Sequence, residues 1–247
     1  MIKNQIPNII TLLNLLSGSI AVIFAVQNQL IAAGLFVGLG IFFDFFDGLL
    51  ARLLNAKSEL GLQLDSLADM VTSGLVPGIV MFQLLRTTLA EPEFNNAEWT
   101  GTADLAIDFP WIAAIGLMIT LASGYRLANF NIDERQTTSF IGLPTPANAI
   151  LILSLPIILH FQPTAFATSL ILNEWFLIGL TLFSCFILNA NIPLFALKFK
   201  TWNFKDNFLR YGFLLLSVIL LIFFQFLALP MIIICYLILS MLALLRN

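Results

Sequence analysis

The chain has 247 residues, of which 60% are hydrophobic and only 10% charged, and its mean hydropathy is +0.97. Soluble domains carry about 25% charged residues, so a water-facing surface is excluded and the chain reads as a membrane protein. A net charge of −3 and a pI near 5.0 give no basic surface for nucleic acid.

A helix needs about 20 mostly apolar residues to cross the hydrocarbon core. On that scale the sequence predicts eight spans, at about 6–26, 30–52, 62–86, 109–130, 145–161, 173–190, 208–227 and 229–245. The first is long enough to span and is followed by Gln27-Asn28-Gln29 rather than a small-residue cleavage site. It is expected to be a retained helix, not a signal peptide. Pro156 and Pro163 interrupt the fifth and sixth spans, and the last two are separated only by Ala228-Leu229-Pro230, which predicts a tight hairpin. Cys185 and Cys235 lie in apolar runs without Cys-x-x-Cys spacing, so they read as small packing residues. No repeat or low-complexity tract interrupts the chain.

Orientation follows from the basic residues. With the N-terminus in the cytoplasm, Lys3, Arg52, Lys57, Arg126, Arg135, Lys198, Lys200, Lys205, Arg210 and Arg246 fall on that side, and only Arg86 on the other. The far loop after span three carries Glu91, Glu93, Glu98, Asp104 and Asp108. This positive-inside bias predicts that both termini are cytoplasmic. The expected architecture is all-α, a polytopic membrane helical bundle forming a single domain over 1–247.

Four acids stand where lipid makes them expensive. Asp44 and Asp47 lie in span two, and Asp65 and Asp69 in span three. Each costs about 2.5–3.5 kcal/mol on insertion scales when ionised at mid-membrane. The members of each pair are three and four residues apart, so each pair shares a helix face. A short link makes the two helices antiparallel neighbours, and the pairs flank that link. Four carboxylates converging on one point suit a hard divalent cation, Mg²⁺ or Mn²⁺. The single histidine, His160, falls at the opposite face. Gly48 follows Asp44 by one turn and Gly61 precedes Asp65 by one turn. Both let a bulky ligand approach the backbone. Arg52, a turn beyond Gly48, can reach a phosphate with its planar fork. Acids, glycines and an arginine in this order describe a diphosphate site.

Residues 44–69 read DFFDGLLARLLNAKSELGLQLDSLAD. They resemble the signature of the CDP-alcohol phosphatidyltransferases, D-x-x-D-G-x-x-A-R, eight residues, then G-x-x-x-D-x-x-x-D, with every fixed position filled: Asp44, Asp47, Gly48, Ala51, Arg52, Gly61, Asp65 and Asp69. The resemblance implies a six-helix core, here about 1–192, with a C-terminal hairpin, about 207–247, added to it. It implies transfer of a phosphatidyl group from a CDP-linked donor to an alcohol with release of CMP. It also implies divalent metal held by the four acids, a nucleotide site at Gly48, Ala51, Arg52 and Gly61, Asp69 as general base, and a homodimer.

The blocks IPNIITLLNLLSG, DSLADMVTSGLVPG, SGYRLANFN and FIGLPTPANA are similar, in the same order, to the bacterial serine-using branch of that family. That resemblance implies CDP-diacylglycerol and L-serine as substrates, and a place in the bacterial cytoplasmic membrane with the site facing the cytoplasm. Glycerol 3-phosphate, inositol or its phosphate, and choline are the alternative acceptors. A cation transporter built on the four acids is the alternative of a different class. It requires polar residues continuing to the far face, where spans two and three are apolar. Arg126 and Asn129, ending span four near the acids, are candidates for binding the serine carboxylate or a lipid phosphate, with an orienting anchor as the alternative role for Arg126. Pro144 and Pro146 read as a structural turn. Asn14, in the first span, is a candidate contact to the nucleotide or to another helix.

Overall fold

The computed structural model describes residues 5–56, 58–89, 109–132, 140–195, 203 and 207–246. The described chain is helical apart from one short strand pair. α1 (Gln5–Val26) and α2 (Leu30–Leu53) form an antiparallel pair, turned at Asn28, whose φ of 59° is left-handed. Asparagine tolerates that region better than most residues. α1 turns Pro7, Asn8, Thr11, Asn14, Ser17, Gly18, Ala21 and Ala25 inward, while Ile9, Leu12, Leu16 and Ile23 are exposed. Lipid is as good a solvent for leucine as a neighbouring helix is, so small and polar residues are the ones that gain from helix contact.

After α2 the chain reverses and enters α3 (Glu59–Asp69), capped by Ser58, whose Oγ accepts from the Gly61 N–H at 3.0 Å. α3 continues through a π turn (Met70–Leu75) into α4 (Val76–Thr88), giving 30 residues of continuous helix. α4 is the hub of the bundle. All of it but Ile79, Thr87 and Thr88 is buried, and Val76, Val80, Met81 and Leu85 pack in one core with Ile119, Ile152, Ile158 and Leu177. Gln83 of α4 donates to the Ala25 and Val26 carbonyls at 3.1 and 2.9 Å, satisfying carbonyls that the end of α1 leaves without helical partners.

The fourth predicted span starts later than expected. Phe109–Ile112 precede a 3₁₀ turn (Ala113–Leu117), and α5 is Met118–Ile132. The strand β1 (Phe140–Ile141) pairs antiparallel with β2 (Pro193–Leu194), bracketing α6 (Thr145–Phe161), α7 (Ala165–Ile171) and α8 (Glu174–Asn189). α7 was not expected. It is bent by 67° from α8, because Thr164 and Asn173 each cap a separate helix start, accepting from Ala167 N and Phe176 N.

The chain ends in α9 (Phe208–Phe224) and α10 (Ala228–Arg246). The rings of Phe213 and Tyr236 are 5.6 Å apart. A continuous helix would separate them by about 34 Å, so α10 folds back on α9, with the chain turning at Gln225, whose φ is 50°. α1, α2 and the α3–α4 helix, at 22, 24 and 30 residues, are each long and apolar enough to cross a membrane, whereas α6 has 17 residues. Lys3, Lys57, Arg135, Lys198, Lys200 and Lys205, and the acids Glu91, Glu93, Glu98, Asp104 and Asp108, lie outside the described residues.

Candidate active site

Asp44 and Asp47 project from the second half of α2, Asp65 and Asp69 from α3. One carboxylate oxygen from each of Asp44, Asp47 and Asp65 lies within 4.8 Å of the other two. Asp69 follows Asp65 by one turn of α3 and is reached by the Asn14 amide of α1. Like charges this close repel by several kcal/mol at the effective dielectric of a protein interior. Compensation must come from protons or from a cation. The donor set is all oxygen, from three side chains on two helices, and it fits a hard divalent ion. Asp44, Asp47 and Asp65 are the residues that could hold it, with Asp69 beside them.

Two of the four acids, Asp47 and Asp65, line a cavity of about 740 Å³ together with Gly48, Ala51, Arg52 and Gly61; Asp44 and Asp69 are not among its lining residues. Its size is ordinary for a small-molecule site. The two signature glycines differ in what they do. A Cβ at Gly48 would have no atom nearer than Arg52 Nη2, at 4.0 Å, so the missing side chain leaves cavity space. A Cβ at Gly61 would sit 3.1 Å from Ser58 Oγ and 3.2 Å from Asn8 Oδ1, so glycine there lets the start of α3 close against α1. Arg52 is exposed, and its Nε donates to Gly48 O at 2.8 Å.

α1 supplies the third wall, and the sequence reading had named only Asn14 from it. Asn8 and Thr11 line the cavity, and Thr11 Oγ1 donates to Asp47 Oδ2 at 2.5 Å. Ser58 and Phe130 also line it. The missed signal was the spacing of Asn8, Thr11 and Asn14, three residues apart within an apolar run and so on one helix face. Asn14 itself is fully buried and donates to Asp69 Oδ1 at 3.4 Å. Arg126 is buried, and its Nη1 donates to the Ile141 and Leu188 carbonyls at 2.8 and 2.7 Å. It therefore ties α5 to β1 and to the end of α8. Asn129 is half-buried on α5. Its neighbour Asn131 exchanges hydrogen bonds with Ser66, joining α5 to α3 beside the acids.

The profile described as CDP-alcohol phosphatidyltransferase matches residues 4–187, about three quarters of the chain. The chain belongs to that family. The match takes in α1 to α8 up to Ile187 and leaves α9 and α10 outside it. Curated relatives agree. The CDP-diacylglycerol--serine O-phosphatidyltransferase of Bacillus subtilis (strain 168) is 34% identical over 144 residues, 58% of this chain and 70% of the relative. The protein of the same name from Helicobacter pylori (strain J99) is 29% identical over 148 residues, 59% of this chain and 54% of the relative. The archaetidylserine synthase of Methanothermobacter thermautotrophicus is 28% identical over 152 residues, 60% of this chain and 56% of the relative. The chain thus spans little more than half the length of several relatives it matches. Within the family signature, the structure brings Asp44, Asp47 and Asp65 together at a cavity walled by the signature's small residues and its arginine.

Proposed function

We propose that this protein transfers the phosphatidyl group of CDP-diacylglycerol to the hydroxyl of L-serine, giving phosphatidylserine and CMP. The observation that carries the chemistry is the convergence of three carboxylates beside a cavity of substrate size lined by the family signature. The names of the curated relatives carry the choice of acceptor.

In this reading Gly48 leaves room for the donor's diphosphate, and Arg52, at the exposed rim, offers its outer guanidinium nitrogens to a phosphate oxygen. Asp44, Asp47 and Asp65 would hold Mg²⁺ or Mn²⁺, which supplies charge neutralisation for the diphosphate and the departing CMP. Asp69 accepts the proton of the serine hydroxyl as that oxygen bonds to the phosphatidyl phosphorus and the bond to the CMP oxygen breaks. A neutral alcohol is a poor nucleophile, and a positioned base of this kind contributes about 10²–10⁴-fold. The bias of Lys and Arg supports a site facing the cytoplasm with both termini inside, the apolar runs of the sequence support eight crossings, and the bacterial relatives support a bacterial membrane. The resemblance to the family supports a homodimer, and the end of the profile match supports a separate C-terminal hairpin.

The test is CMP release by the purified protein in detergent with CDP-diacylglycerol, Mn²⁺ or Mg²⁺, and one alcohol at a time. Serine-dependent release with phosphatidylserine appearing is the expected result. Release with another alcohol alone overturns the acceptor. Release with none, accompanied by metal flux in liposomes, replaces the enzyme reading with a transporter. Asp69→Asn should lose at least about 100-fold in turnover while still binding CDP-diacylglycerol; an active variant removes Asp69 as the base.

A further inference from the structure

Behind the acids lies a pair of polar side chains that the chemistry above does not use. Asn14 of α1 and Thr72 of the π turn are both fully buried. Thr72 Oγ1 lies 2.8 Å from Asn14 Oδ1 and 3.2 Å from the Asn14 carbonyl. A hydroxyl has one proton, and the shorter contact takes it. The Asn14 oxygen is then occupied, so the amide nitrogen is the end left to face Asp69, where it donates to Oδ1 at 3.4 Å. The helices approach closely around this pair. A Cβ at Gly40 of α2 would lie 2.6 Å from Thr72 Cγ2 and 2.8 Å from Asn14 Oδ1. A Cβ at Gly18 of α1 would lie 3.0 Å from the Thr72 backbone. Both glycines therefore let the helices close directly onto the pair, which is fully buried.

We infer that Asn14 and Thr72 form a positioning relay for Asp69. The hydroxyl sets the amide, and the amide holds one carboxylate oxygen, which leaves the other to meet the acceptor's proton. Neither residue has exposed surface from which to touch a ligand, so both act through Asp69. The inference rests on the proposed role of Asp69 as base.

The paired variants Thr72→Ala and Thr72→Ser separate the hydroxyl from the bulk of the side chain. Thr72→Ala should lower kcat about tenfold, within the range that a small misplacement of a reacting group costs. The KM for CDP-diacylglycerol should stay within about twofold, as expected when an interaction made only in the transition state is lost. Mn²⁺ affinity, read by electron paramagnetic resonance without lipid substrate, should be unchanged. Thr72→Ser should recover most of the lost kcat. Asn14→Ala should reproduce the alanine phenotype through the second member of the relay, and it serves as the readout if Thr72→Ala does not fold. Wild-type kcat in both alanine variants overturns the relay. So does a serine variant no better than alanine, or a loss of Mn²⁺ affinity matching the loss of kcat, which is the pattern of general damage. Wild-type protein that releases no CMP overturns the proposed function, and the relay with it. Active wild type with unaffected variants leaves the reaction standing and removes the relay alone.

Discussion

Thr11→Val perturbs the metal-holding acids from a residue outside the signature. Thr11 Oγ1 is 2.5 Å from Asp47 Oδ2 and 3.1 Å from the Pro7 carbonyl. Its single proton goes to the nearer, charged acceptor. Asp47 is only 5% exposed, so little water is available to replace that donor. Two losses then act in the same direction. The first is orientation: an outer hydrogen-bond partner that holds a metal-ligating carboxylate in place is typically worth about 10–100-fold in metal affinity. A methyl carbon also cannot approach an oxygen closer than about 3.3 Å, so valine must push Asp47 away by about 0.8 Å. The half-saturating Mn²⁺ concentration for CMP release, at saturating lipid and serine, should therefore rise by about 10- to 100-fold. Thr11→Ser, which keeps the donor, should stay close to wild type. A Thr11→Val enzyme with unchanged Mn²⁺ dependence would refute the argument. So would a Thr11→Ser enzyme as impaired as the valine variant, because then the donor is not what matters.

Two further outcomes concern the frame that holds the site. Arg126→Ala strips the shared donor from the Ile141 and Leu188 carbonyls, at about 1–3 kcal/mol for each buried acceptor left unpaired; the melting temperature in detergent should fall by at least about 5 °C, whereas a variant of normal stability with a raised serine KM would make Arg126 a substrate ligand. Gly116→Ala places a Cβ 2.6 Å from Phe82 N and 2.9 Å from Met81 C, backbone atoms of the central helix that cannot step aside, so it should cost about 1–3 kcal/mol of stability with the activity of the folded fraction retained, and an unchanged melting curve would contradict the close approach of the 3₁₀ turn to α4.

What was legible in the sequence was whatever lipid makes costly. Asp44, Asp47, Asp65 and Asp69 stand out because an acid in an apolar run demands a reason, and their spacing supplied one. Thr11 and Thr72 did not stand out, because a threonine costs a membrane helix little and each looks innocuous alone. Only the partner shows what it does, and the partners are 36 and 58 residues away. Arg126 illustrates the same limit. A basic residue at a helix end reads equally as an anchor or a ligand, and its bond to Leu188, 62 residues on, is invisible to local pattern. The break before α8 had local causes, the caps Thr164 and Asn173, and falls where the sixth span was expected to begin, but α7, at seven residues, is too short to register on a scale of about 20 residues.

The π turn after Asp69 joins the two halves of the longest helix, and their burial shows why it is useful there. On α3 only Ala68 is buried, and the helix presents Asp65 and Asp69 to α1 and α2 at the site. On α4 nearly every residue is buried, so its phase is dictated by packing against its neighbours on all sides. A strictly α-helical connection would fix the phase of one half by the other. Closing one turn on i→i+5 bonds instead of i→i+4 inserts an extra residue and shifts the phase between them. The acids can then face the site while Val76, Val80 and Met81 keep the core, and Thr72, inside the turn, is delivered to Asn14. The single irregularity in this helix lies where the demands of chemistry and of packing meet, which is where π turns tend to occur in proteins.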